Sequence, residues 1–453
     1  MFCPGQSQYR IQFIDGSIGL DTNIIFTDAR TTEESRITGV ACSRIDFHRL
    51  VTRPVEFKRA SLPSRRPFFE VIHSTFQGKG LYYEQIVRIY QYAELPMIVK
   101  SFGFKFTLSL IALLAVFGNH RVTEAQEISA VESKFLSEVR QVTDGFVKAG
   151  EGYFSPDGKQ IIYQAVRQEY PFYQIFTQPL KGGIPRLIST GRGRTTCSYF
   201  SPDGKRLLFA SSHLDPKMDE TEAAERKQQE EDRKSGKRRR YSWPFDPHTD
   251  IFEADLQGNL LRRLTTEAGY DAEGAYSYDG KTIAFCSTRD GDPDLYLMNA
   301  DGSNVKQLTN APGYDGGPFI SPDGNWVVFR SDRKQKEFLQ IHVIGIDGKN
   351  DVALTNTTGV NWAPYWHPHK PYIIWTGADH SNPKARPNYD LWLMKYEIRD
   401  GRFHGHPAVR VTDHPAGDVL PVFSPDGSHL MWTSTRTKTH ASQLFIAKFK
   451  LPE

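Results

Sequence analysis

The sequence predicts an all-β chain: a six-bladed β-propeller of four-stranded antiparallel blades, closed by an N-terminal strand at residues 137–143. Three observations predict it. A Ser-Pro-Asp-Gly unit recurs along the chain at a nearly constant interval. Each copy heads a set of four short apolar runs. The last set is one run short, and an orphan run stands just before the first. A fixed period of about 40–45 residues with four strands per unit is the signature of radially arranged blades.

The repeats run YFSPDGKQIIYQA from Tyr153, YFSPDGKRLLFAS from Tyr199, AYSYDGKTIAFCS from Ala275, FISPDGNWVVFRS from Phe319 and VFSPDGSHLMWTS from Val422, with a decayed copy, YWHPHKPYIIWTG, from Tyr365. Their anchors are Ser155, Ser201, Ser277, Ser321, His367 and Ser424, spaced 46, 76, 44, 46 and 57 apart, so two units carry insertions. Pro-Asp-Gly makes a tight turn, because Pro pre-sets φ and Gly accepts positive φ. It joins the first strand to the second. A third strand alternates apolar residues, as in DLYLMNADG from Asp294, and an Asp-Gly turn leads to a fourth ending in Leu-Thr, as in VKQLT at 305–309.

The sixth unit stops after its third strand, SQLFIAKF at 442–449. SEVRQVT at 137–143 is a fourth strand without a unit, with Val139 and Val142 apolar and a Val-Thr ending. Pairing the two would remove an open sheet edge, which is a liability for aggregation.

The SPDG–strand–DG–LT unit, over residues 136–453, resembles the WD40-like propeller repeat of the TolB family. That resemblance implies a six-bladed propeller and a periplasmic, protein-binding role. TolB also carries an α/β domain before its propeller, and the stretch between Ala125 and Ser137 has no room for one. The same repeat builds the propeller of prolyl-oligopeptidase-type peptidases. Their Gly-x-Ser-x-Gly elbow is missing from this sequence.

The apolar run FTLSLIALLAVFG at 106–118 is about 13 residues long and follows Met97, Lys100 and Lys105. A transmembrane helix needs about 20 residues. A charged start, a short apolar core and small residues before a cut describe a secretory signal peptide, here 97–125. Residues 1–96 show no assignable fold, and the expectation is a gene start placed too early, with translation beginning at Met97. Mature protein would begin near Gln126, periplasmic or secreted, without an integral membrane span. Lys+Arg 56 against Asp+Glu 53 leaves no basic excess for nucleic acid. Four Cys are too few and too scattered for a disulfide scaffold.

First strands of a propeller line its channel. Six residues before each anchor stand Ala149, Thr195, Asp271, Asp315, Asn361 and Asp418, and four before it Glu151, Cys197, Glu273, Gly317, Ala363 and Leu420. Asp271, Asp315, Asn361, Asp418 and Glu273 are therefore the candidate metal residues, an acidic arc whose oxygens would suit Ca²⁺. Their other reading is capping of loop backbones. Asp290, Asp292 and Asp294 form a turn, because the Glu of a calcium loop is missing. His367-x-His369 and His404-x-His406 have metal-ligand spacing without an evident third ligand.

An insertion at about 214–247 opens with the helix-favouring DETEAAERKQQEEDRK (219–234), which lacks an apolar stripe and should be solvated. It ends in Lys237, Arg238, Arg239, Arg240, Tyr241 and Trp243, the candidate ligand-binding residues for an acidic group or partner. No catalytic residues are assigned. The expected function is an exported, non-catalytic TolB-like propeller. It would bind a protein or cell-envelope ligand through the face carrying the insertion and the acidic channel mouth. The alternative is a metal-dependent hydrolase or lyase acting on a glycan in the channel.

Overall fold

The Ser-x-Asp-Gly turn is built the same way in five blades, with Tyr278 in place of proline in the third. In the first, Ser155 Oγ donates to Asp157 Oδ1 (2.7 Å) and accepts from Gln160 N (2.9 Å), while Lys159 N donates to Asp157 Oδ1 (3.1 Å). Gly158 takes φ +67°, the left-handed region that glycine enters at little cost. Every residue of the motif thus closes the turn between first and second strands. In the fifth blade His367 replaces the serine, and its Nδ1 accepts from His369 N (3.1 Å) and Lys370 N (3.2 Å).

The computed structural model describes residues 128–236, 244–382 and 384–452, together with four strands nearer the start. The chain divides into two units, Met1–Gly118 and Asn119–Glu453. In the first, Gln6–Gln12 pairs with Asp21–Thr27, and His73–Gly78 with Leu81–Ile86, two hairpins that the sequence did not disclose. The expected signal segment, 97–125, lies outside the described residues.

The second unit is a six-bladed propeller of antiparallel sheets. The innermost strands are Lys148–Phe154, Thr195–Phe200, Asp271–Tyr276, Asp315–Ile320, Val360–Trp366 and Asp418–Phe423. Blade 6 is completed from the start of the chain. Leu136–Gln141 pairs with Gln443–Phe449, Arg140 opposite Ile446 and Ser137 opposite Lys448. The strand begins one residue earlier than 137–143 and its regular pairing ends at Gln141. Val142 N still donates to Leu444 O (2.7 Å). One apolar cluster joins Val422, Met431 and Leu444 of blade 6 to Ile161 and Phe176 of blade 1 and Phe200 of blade 2.

The Leu-Thr ending has a physical role. Where the fourth strand stops, its hydroxyl caps a backbone N–H at the start of the third. Ile251 N donates to Thr265 Oγ1 (2.9 Å), Leu295 N to Thr309 (2.9 Å), Ile341 N to Thr355 (2.8 Å) and Leu391 N to Thr412 (2.9 Å). Leu444 N donates to Thr143 Oγ1 at 2.9 Å. The closing strand therefore ends as every intact blade ends.

Two insertions account for the long spacings. In blade 2, helix α1 (Met218–Ser235) ends at Gly236 in the left-handed conformation. In blade 5 the third strand, Asp390–Arg399, turns back through Arg402–Gly405. That hairpin buries Phe403 against Trp326 and Trp366 (5.5 and 5.9 Å between ring centres). His406 pairs there with Glu397 (3.5 Å). Among the described residues no helix is long and apolar enough to cross a membrane.

Candidate functional site

Each innermost strand carries a β-bulge at the same place. Glu151, Cys197, Glu273, Gly317, Ala363 and Leu420 all have φ between +48° and +60°, and the register to the second strand shifts beside each. A non-glycine residue held there costs about 1 kcal/mol or more. The bulge frees an N–H, and the preceding blade answers it: Glu151 N donates to Thr433 Oγ1 (3.0 Å), Leu420 N to Thr376 Oγ1 (2.9 Å) and Gly317 N to Glu273 Oε2. In blade 1 the next residue must be slim. A Cβ on Gly152 would lie 2.6 Å from Leu444 Cδ1.

This tier gathers a polar cluster in the channel. Arg330 Nη2 donates to Glu273 Oε1 (2.7 Å) and to Tyr314 Oη, and Tyr314 Oη donates to the same carboxylate (2.8 Å). Gly317 leaves the space that Arg330 uses: a Cβ there would lie 2.2 Å from Nη1. Glu273 thus has a full cationic partner. Glu151 has the weaker help of Cys197 and Thr196, and its carboxyl is pushed up to about 7, by burial first and then by the charge of Glu273. Burial also raises the Cys197 thiol, so it is not an activated nucleophile. Below the cluster the channel is filled by aromatics. Tyr153 and Tyr199 meet at 5.0 Å, Phe319 and Tyr365 at 4.9 Å, and the hydroxyls of Tyr199 and Tyr365 are 2.9 Å apart.

The raised Glu151 carboxyl makes a pH prediction. Between about 4.5 and 7 the folded chain holds a proton that the unfolded chain has lost. The stability contributed by Glu151 therefore falls as pH rises through that window, by at most about 1.4 kcal/mol per pH unit. Asp294 and Asp390, each pushed up to about 6 chiefly by burial, act in the same direction. The comparison with Glu151→Gln isolates the one group. The excess stability of wild type over variant, from urea melts, should shrink from pH 5 to pH 7.5. A constant difference would mean an ordinary carboxyl.

The acidic arc is answered by arginines. Arg289 Nη2 reaches both oxygens of Asp271 (3.1 Å), Arg333 Nε reaches Asp315 (3.3 Å) and Arg436 Nε reaches Asp418 (3.1 Å). Each guanidinium supplies the positive charge expected of Ca²⁺, and an ion at these carboxylates would have to displace it. Asn361 holds a loop instead: Nδ2 donates to Thr357 Oγ1 (2.8 Å) and Oδ1 accepts from Trp375 Nε1 (2.9 Å). The arginines stand eighteen residues after their aspartates, in Ser-x-Arg sequences, a signal that sequence reasoning missed. In blade 5 position 361 is Asn and position 379 is Asp, so both partners are lost together.

Among the described residues, the three acidic groups whose ligand atoms lie within 4.8 Å of one another are Asp290, Asp292 and Asp294. They belong to the predicted turn, where Gly313 N donates to Asp292 Oδ2 (3.1 Å) and Thr309 Oγ1 to Asp294 Oδ1 (3.0 Å). His367 spends Nδ1 on its own turn and is pushed down to about 4 by burial. Lys237, Arg238, Arg239, Arg240, Tyr241 and Trp243 lie outside the described residues. Phe245, shortly after them, is exposed and packs on Tyr270 and Tyr314 (5.2 and 5.8 Å). The end of the insertion therefore meets the channel cluster at Tyr314.

Residues 235–384 match the family model described as the TolB beta propeller domain. That match spans about a third of the chain, inside the propeller. Among solved structures, the chain is similar to a provisionally named TolB from Agrobacterium tumefaciens, at 21% identity over 67% of this chain and 91% of that one, with a TM-score of 0.43. TolB from Acinetobacter baumannii follows at 17% identity, 69% and 66% coverage and a TM-score of 0.43. Oligogalacturonate lyase from Vibrio parahaemolyticus gives 14%, 68% and 93%, and 0.42. At such scores these likenesses carry nothing about function. No curated protein matches the chain. The repeated unit accounts for the turns and caps, and the channel cluster and α1 are described from this chain's own residues.

Proposed function

We propose that this chain is an exported, non-catalytic TolB-like propeller. It binds a protein or cell-envelope component through the face formed by loops joining second to third and fourth to first strands. The observation that carries this reading is the contrast between the faces. The other face has five tight Ser-Asp-Gly turns of one design, at Ser155, Ser201, Ser277, Ser321 and Ser424. The proposed face bears α1, the Asp290–Asp294 loop, the long loop at 379–389 and the channel mouth under Phe245. Variable loops on a uniform scaffold are where binding residues concentrate. Export rests on the short apolar run at 106–118 with Lys100 and Lys105 before it.

The basic–aromatic run contributes a docking patch for an acidic partner in this reading. Changing Lys237, Arg238, Arg239 and Arg240 together to glutamine should leave the melting temperature within a few degrees of wild type. Capture of the partner from envelope extract should fall at least tenfold. Undiminished capture would remove the run from the binding face. Metal-dependent cleavage of a glycan by the purified chain would favour the enzymatic alternative.

A further inference from the structure

Helix α1 is not simply solvated. It seats in the hollow between the blade 1 loop at 167–173 and the blade 1–2 connection at 189–194. Met218 is fully buried. Glu222 Oε1 accepts from Tyr170 Oη and Gly193 N, Asp219 pairs with Arg192 (2.6 Å), and Arg226 and Gln229 donate to the carbonyls of Glu169 (2.7 Å) and Pro171 (3.0 Å). An acidic helix is thus an occupant that this hollow is built to hold.

The same hollow recurs between blades 4 and 5, in step with the first over residues 172–195 against 338–361. Gln174 Nε2 donates to Gly193 O (2.7 Å), and Gln340 Nε2 donates to Gly359 O (3.0 Å). Phe172 and Phe338 each stand two residues before that glutamine. Phe172 is buried, with Arg194 over its ring at 4.3 Å, whereas Phe338 is half-buried. Here the hollow is an open cavity of about 240 Å³, walled by Lys334, Gln335, Phe338, Asn356, Thr357 and Thr358.

Both walls are fixed before anything binds. Arg333 ties the base of one to Asp315 and Asp351. Buried Gln340 and Asn361 hold the other through Thr357 and Gly359. Such preorganisation lowers the cost of binding. The basic charge moves from one wall to the other: where blade 1 has Gln168, Tyr170, Arg192 and Arg194, this hollow has Lys334, Lys336, Thr358 and Val360.

We propose that the hollow between blades 4 and 5 is a docking seat for an acidic helical segment of a partner protein. Its carboxylates engage Lys334, whose Nζ donates to Asn356 Oδ1 in the empty hollow, and the Thr357–Thr358 edge, on the two walls that correspond to those holding Asp219 and Glu222 in the blade 1 seat. The inference rests on the binding face proposed above and names the partner chemistry at one place on it.

The chain's own α1 sequence, residues 218–235, is a suitable probe, with seven acidic and four basic side chains. As a labelled synthetic peptide it should bind the full chain saturably in fluorescence anisotropy. Lys334→Glu should weaken binding at least tenfold, and so should Glu222→Gln in the peptide. Lys159→Glu, on the opposite face, should leave it unchanged. Thr358→Arg, which restores the residue type of Arg192, should tighten it. Failure to saturate at millimolar peptide, or equal binding to wild type and Lys334→Glu, would overturn the seat. Partner capture that persists in Lys334→Glu would overturn the seat alone and leave the wider binding face standing.

Discussion

Arg436→Met should destabilise the propeller by about 3–5 kcal/mol, the cost of breaking a buried ion pair by removing one partner. The Arg436 guanidinium lies wholly inside the protein, forked between Asp418 and Glu132. Nη1 donates to Glu132 Oε2 (3.2 Å) and Nε to Asp418 Oδ1 (3.1 Å), and the guanidinium sits 5.4 Å from the Trp432 ring centre. Methionine keeps the stem and removes the charge, leaving two buried carboxylates with no cation between them. Glu132 belongs to the short 3₁₀ turn Glu132–Lys134 ahead of the closing strand, so the variant also loosens the join between chain ends. Adding Asp418→Asn and Glu132→Gln should recover most of the loss, because neutral amides tolerate burial without a cation. Urea midpoints measure both steps. A loss under 1 kcal/mol in the single variant would contradict the charge argument.

Removing the closing strand should have a larger effect still. A chain that starts at residue 144 loses Phe135, Leu136 and Val139, all buried. Each is worth roughly 1.5–3 kcal/mol of burial, and together they rival the whole stability of an ordinary domain, about 5–15 kcal/mol. The deletion also uncovers the backbone of Gln443–Phe449 and strips Leu444 N of its Thr143 cap. The truncated chain should aggregate, whereas one starting at residue 128 should melt cooperatively. Ser137→Cys with Lys448→Cys should form a disulfide, because the two positions are register partners at the exposed rim. A soluble, cooperatively melting 144-start chain without that crosslink would mean another closure.

The parts legible in the sequence are those where one residue type has one backbone task. Pro, Asp and Gly of the turn are such residues, and so is the threonine that caps the third strand. The missing fourth strand of blade 6 could therefore be found at residues 137–143. The channel tier could not be read that way. Its six bulge positions are Glu, Cys, Glu, Gly, Ala and Leu, and a positive φ outside glycine leaves no mark on composition. The aspartate–arginine pairs did leave one, in the Ser-x-Arg that closes the second strand of blades 3, 4 and 6. The aspartates alone suggested an open acidic arc. Helix α1 was expected where it stands, but its anchoring was not. One buried methionine and several polar contacts hold it, and no apolar stripe announces such a face.

The most direct test of the binding face is site-specific photocrosslinking in living cells that export the chain. The photoreactive residue p-benzoylphenylalanine would be placed singly at Asp292 and Thr358 on the loop face, and at Lys159 and Ser428 on the tight-turn face. All four side chains are at least partly exposed. The account predicts a discrete higher-mass adduct from Asp292 or Thr358 and none from Lys159 or Ser428. Adducts only from the tight-turn positions, or equally from both faces, would contradict it.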